Sequence, residues 1–132
     1  MSVFEPKLNK GSDLEIPYGG ITGMSASQLS AAIRERRVSC VEVMQAYLER
    51  IHRYNPVYNA IVSMAEDDEL IGLAKSADRA LDKDEYWGWM HGMPHAVKDL
   101  ASAKGLETSF GSRVFAGTIA GADDLHIARI RS

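Results

Sequence analysis

Hydrophobic positions along this chain repeat at helical spacing between Ser25 and Leu81, and the period then fades. Leu29, Ala32 and Ile33 make a short stripe behind Ser25-x-x-Gln28, which has the form of a capping box. A second box, Ser39-x-x-Glu42, opens a longer predicted helix in which Cys40, Met44, Tyr47, Leu48 and Ile51 share one face. Asn55-Pro56 predicts its end, because proline pushes the preceding residue out of the helical region. Tyr58 to Met64 reads as a short strand around Ile61 and Val62. From about Ala65 a third helix is predicted, with Leu70, Leu73, Ala74, Ala77 and Leu81 aligned and acids in its first turn.

Outside that window the elements are shorter. Residues 1–23 carry Pro6, Gly11, Pro17, Gly19, Gly20 and Gly23 and read as an irregular leader. Past Leu81, Trp87 and Trp89 flank Gly88, so in an extended segment they would share a side and form a patch against a partner or a ligand. A Gly92-Met93-Pro94 turn then feeds the apolar run Ala96 to Leu100, a predicted strand. Thr108 to Ser112 is a loop. Leu125, Ile127, Ala128 and Ile130 mark a last helix over 122–132, with Asp123 as its cap and no glycine or proline stop, which reads as a helix cut while still running.

Composition narrows the function classes. With 132 residues and 45% hydrophobic content, the chain is of one-domain size and able to support a core. Fifteen Lys and Arg against 18 Asp and Glu give a net charge of -3, so no nucleic-acid partner is expected. One cysteine excludes an internal disulfide, and His52, His91, His95 and His126 are scattered without ligand spacing, so neither metal nor cofactor is expected. No run approaches signal-peptide or membrane-span character, which by default predicts a cytoplasmic protein with no membrane partner.

The candidate chemistry sits at Lys98. Strand alternation would put Ala96, Lys98 and Leu100 on one side and Val97 and Asp99 on the other, so an ammonium is expected on a core-facing strand. That placement is unfavourable unless the amine is paired or neutralised, and it is tolerated where the amine acts as a general base. The alternative is a strand-end lysine whose stem packs while its head reaches water. Asp99 points away from Lys98 and either accepts backbone N–H groups of the following loop, holding the lysine in place, or is a solvated turn residue.

Gly92-Met93-Pro94-x-x-Val97-Lys98-Asp99 followed by Gly105-Leu106-x-Thr108-Ser109-x-Gly111-Ser112 resembles the amidase signature family of serine hydrolases. Ser39 at a helix start, Glu49-Arg50-Ile51 near its end and Asn55-Pro56-x-x-Asn59-Ala60 fit the same pattern, and the resemblance runs from about Met24 to the last residue. It implies a helix-rich α/β fold: residues 24–132 would be the N-terminal part of an amidase domain, truncated at the C-terminus, with a few strands of its mixed sheet. Lys98 would be the base of a Ser–Ser–Lys triad that hydrolyses small-molecule amides through an acyl-enzyme, supported by the motif residues Gly92, Pro94, Asp99, Gly111 and Ser112. Both family serines lie downstream of the matching segment, so this chain is expected to be inactive alone. The other reading is a non-catalytic interaction module that exposes the core face of the parent enzyme; either piece is expected to form homo-oligomers.

Other nucleophiles fit less well. Ser109 and Ser112 match the family's structural loop, and no Gly-rich run supplies oxyanion donors opposite them. Cys40 with His52 or His95 could make a Cys–His pair, yet Cys40 lies on an apolar stripe and is expected to pack as a small hydrophobe.

Overall fold

The computed structural model describes residues 19–131, so most of the predicted leader lies outside the described residues. Within the described part of it, Gly20–Gly23 forms a 3-10 turn that buries Ile21. Four α-helices follow among the described residues: α1 (Ala26–Arg34), α2 (Cys40–Tyr58), α3 (Asp67–Asp82) and α4 (Leu125–Arg131). The described residues divide into two compact units, 19–54 with 67–94 and 55–66 with 95–131.

The first unit is built by the predicted stripes. Ser25 accepts the Gln28 N–H while the Gln28 side chain accepts the Ser25 N–H, so the capping box closes and starts α1. The box at Ser39 closes too, with the Glu42 carboxylate accepting the Ser39 N–H at 2.8 Å and Ser39 Oγ accepting the Glu42 N–H at 3.0 Å. Asp78 of α3 adds a cap from a distance, taking the Cys40 N–H at 2.7 Å and the Val41 N–H at 3.2 Å. Leu29, Ala32, Ile33, Val38, Cys40, Val43, Ala74, Ala77 and Leu81 join Ile21 in one core. Each large member contributes about 1.5–3 kcal/mol through burial. Leu73 departs from its predicted place: it is 59% exposed, and Ala80 takes a buried position instead.

Pro56 does not stop α2. The helix continues to Tyr58, and Asn59 accepts the left-handed conformation (φ 46°) just beyond it. One lost N–H near a helix end is tolerable because the flanking groups find partners. Asn59 N–H reaches Asn55 C=O at 2.7 Å, and the Asn55 amide holds both the N–H and the C=O of Ile61 at 2.8 Å. Those two bonds also explain why no strand forms over Tyr58–Met64: Tyr58 is helical, and the backbone of Ile61 is already satisfied.

The second unit corrects the fold expectation further. No strand of a mixed sheet is present among the described residues; the sole ladder-like feature is an antiparallel bridge between Glu107 and Ile119. Residues 93–98 form no ladder, and the Lys98 carbonyl instead accepts the N–H groups of Leu100 and Ala101 at 2.7 and 3.0 Å. The bridge is extended by Thr108 N–H to Thr118 C=O at 2.8 Å and Ala120 N–H to Leu106 C=O at 3.0 Å. Burial is sparse here, with Ala103, Thr108 and Ile127 below the surface.

The last helix starts later than predicted, and Asp124, not Asp123, stands just before it. Both carboxylates serve another segment. Asp124 accepts the Ser102 N–H at 2.9 Å, and Asp123 accepts the Lys104 N–H at 2.6 Å and an Arg131 N–H at 2.9 Å.

Candidate active site around Lys98

The turn that leads toward the lysine is fixed by a close approach. Gly92 has φ +66°, and a Cβ there would collide with Cys40 Sγ and lie 2.9 Å from Cys40 Cβ. Only glycine meets both demands. Met93 then packs on the core, and its N–H closes a turn onto Met90 C=O at 3.0 Å. Pro94, half-buried, ends this part of the first unit.

Cys40 itself is buried against this glycine. Burial, then the hydrogen bond and negative charge of Asp78, push its thiol up to about 12. It is a packing residue, with no histidine partner, as its place on the stripe implies.

His91 is the buried histidine that spacing did not single out from the other three. Its Nδ1 accepts the Trp87 N–H at 3.1 Å and its Nε2 lies 3.0 Å from Ala77 C=O, so the tautomer with hydrogen on Nε2 satisfies both. Tyr86 and Trp87 cover the ring at centroid distances of 5.5 and 4.6 Å. Both tryptophans are exposed, Trp87 at 54% and Trp89 at 62%, with one side of Trp87 packed on His91. His52 pairs with Asp67 at 2.7 Å. Among the described residues no three His, Cys, Asp or Glu side chains stand together as metal ligands, and no helix is long and apolar enough to cross a membrane.

Lys98 lies in the second unit, and it is exposed rather than buried. The predicted alternation survives with its sides exchanged: Ala96, Lys98 and Leu100 face out, while Val97 and Asp99 are half-buried. Without a second layer or paired strands over this run, nothing among the described residues desolvates the amine. Lys98 makes no ion pair among the described residues, Asp99 included.

The Asp99 carboxylate is held by the loop that follows. Oδ1 accepts the Ser109 N–H at 2.8 Å; Oδ2 accepts the Ser109 hydroxyl at 2.7 Å and the Gly111 N–H at 3.2 Å. The Ser109 hydroxyl bond is the main cause that lowers the Asp99 carboxyl below its ordinary value, and the amides of Ser109, Gly111 and Phe110 add to it. Gly111 has φ +67° with open space around a Cβ, so the backbone conformation alone calls for glycine there. Ser112 sits one step on, its N–H donating to Ser109 C=O at 2.8 Å and its hydroxyl accepting the Val114 N–H at 3.3 Å.

Among the described residues the geometry thus brings Asp99, Ser109 and Gly111 together, leaves the Lys98 amine without an ion pair, and offers it no activated hydroxyl. The "Amidase" family model matches residues 42–132, which include Gly92, Pro94, Lys98, Asp99, Gly111 and Ser112. The chain belongs to the amidase family. An acylamidase of Rhodococcus erythropolis is 31% identical over 108 residues, covering 82% of this chain and 22% of that protein. A glutamyl-tRNA(Gln) amidotransferase subunit of Bdellovibrio bacteriovorus is 30% identical over 111 residues, 84% of this chain and 22% of that protein. Its counterpart in Methylococcus capsulatus is 39% identical over 88 residues, 67% of this chain and 18% of that protein. The chain therefore spans about a fifth of the length of these curated relatives.

Proposed function

We propose that this chain is the N-terminal, lysine-bearing part of an amidase that hydrolyses the carboxamide C–N bond of a small molecule in the cytoplasm. The observation that carries the reading is Lys98, an exposed amine without an ion pair among the described residues, next to a loop-anchored Asp99 inside the family-matched span. A serine hydroxyl outside the chain would attack the carbonyl, passing its proton through a second serine to Lys98. Backbone N–H groups would stabilise the tetrahedral oxyanion, the amine would leave carrying a proton, and water would release the acid from the acyl-enzyme.

Exposed Ala96 and Leu100 flank the amine on its own side. The 132-residue chain alone, holding the base without its serines, is inactive under this reading.

The test is an amide panel combined with a serine-directed phosphonate, applied to the full reading frame that contains this chain. Acid release together with phosphonate adducts on serines outside these residues is the expected result. An adduct on Ser109 or Ser112, or turnover by the 132-residue chain alone, contradicts it.

A second reading, a non-catalytic module that self-associates or binds a partner, is favoured by exposed Val114, Val57 and Leu125 at 86%, 79% and 68%. A clean monomer at micromolar concentration on size-exclusion chromatography counts against self-association.

A further inference from the structure

We infer that Ser109 is a positioning residue for Lys98, acting through Asp99; the inference deepens the amidase reading and rests on it. The peptide joining Lys98 to Asp99 is held from two directions. On one side the Lys98 carbonyl accepts both the Leu100 and the Ala101 N–H. On the other, the Asp99 carboxylate is gripped by the loop at Ser109 and Gly111.

That loop is shaped to hold an anion. Phe110 and Gly111 are both left-handed, with φ +51° and +67°, and the Ser109 and Gly111 N–H groups both donate to one carboxylate. Backbone N–H groups directed at one point favour negative charge, and here the charge is the Asp99 carboxylate. Ser109 supplies the side-chain donor, a charge-assisted O–H bond at 2.7 Å, the shortest of the contacts on this carboxylate.

The consequence falls on the lysine backbone. With both the carbonyl of residue 98 and the side chain of residue 99 committed, the direction in which the Lys98 stem leaves the chain is fixed. Only the rotamers of the stem remain free. A base that must reach a hydroxyl proton at hydrogen-bond distance depends on that direction.

The same bond removes Ser109 from the list of nucleophiles. Its proton is donated to a carboxylate whose proton affinity is lowered, which makes a poor acceptor for general-base activation. Ser109 shapes the site and takes no part in bond breaking.

The test uses Ser109→Thr, Ser109→Val and Lys98→Ala in the active full-length protein, with kcat and KM measured separately. Threonine keeps the hydroxyl, and valine keeps the shape of threonine without it. The expected result is near-normal kcat for Ser109→Thr and a kcat lowered about tenfold to a hundredfold for Ser109→Val. KM should be unchanged in both. On the isolated chain, amide exchange at Ser109 and Gly111 should speed up in Ser109→Val and not in Ser109→Thr. Equal kcat for the threonine and valine variants overturns the positioning role while leaving the amidase reading intact. Near-normal turnover by Lys98→Ala overturns the amidase reading itself.

Discussion

The two units of this chain are stabilised by different means. In the first, α1, α2 and α3 bury Leu29, Ile33, Val43 and Ala77 in one apolar core. In the second, few side chains are buried, and carboxylates and amides do the holding: Asp99 on the Ser109–Gly111 loop, Asp123 and Asp124 on residues 102–104, Glu107 on the Gly117 N–H at 2.7 Å, and Asn55 on Ile61. An apolar core is cooperative and tolerant of solvent conditions. A set of side-chain-to-backbone bonds yields locally, one loop at a time, and responds to pH. The candidate chemistry sits in the second kind of structure.

The largest expected break in this contrast is Ile33→Ala. The side chain is fully buried in the first unit, and its loss should lower stability by about 3 kcal/mol in chemical denaturation. A loss below about 1 kcal/mol would show that the core is not tightly packed. Gly92→Ala comes next, at about 2 kcal/mol or more, since both the positive φ and the Cys40 contact oppose a Cβ. Adding Cys40→Ala should recover part of that loss, and a strictly additive double variant would mean that the contact is not the cause.

Asp99→Asn acts on the second unit. Exchange at Ser109 and Gly111 should accelerate while amides of α1 and α2 keep their protection; a uniform loss would remove the distinction between the units. The pH dependence has a definite sign. The folded carboxyl is held below the ordinary 3.8, so the anchor is fully present above that value and fades as pH falls through the lowered one. Protection of the loop should thus persist down to about pH 4 and be lost below it, and Asp99→Asn should erase the step. The smallest effect is Asn55→Ala, about 1 kcal/mol, with faster exchange at Ile61.

The same contrast explains what could be read from the sequence. Ser25, Ser39 and the Leu29–Ile33 stripe specify their helices through local caps and period, and local information is what a sequence displays. The end of α2 is not visible in that way, because Pro56 is tolerated through the side chain of Asn55 and the left-handed turn at Asn59. The strand expected over 96–100 rests on alternation, and alternation records which side is half-buried without supplying a neighbour to pair with. Lys98 accordingly lies on the exposed side of that run. The Asp99 clamp joins residues ten positions apart in sequence. Ser109, at the far end of that clamp, carries no periodic signal that could mark it.

Whether Lys98 is the base of an amide hydrolase is decided by turnover of Lys98→Ala in the full-length protein, with thermal denaturation of the same variant alongside. Loss of hydrolysis with stability changed by less than about 0.5 kcal/mol is the expected result for an exposed side chain without an ion pair. Near-normal turnover would contradict the assignment.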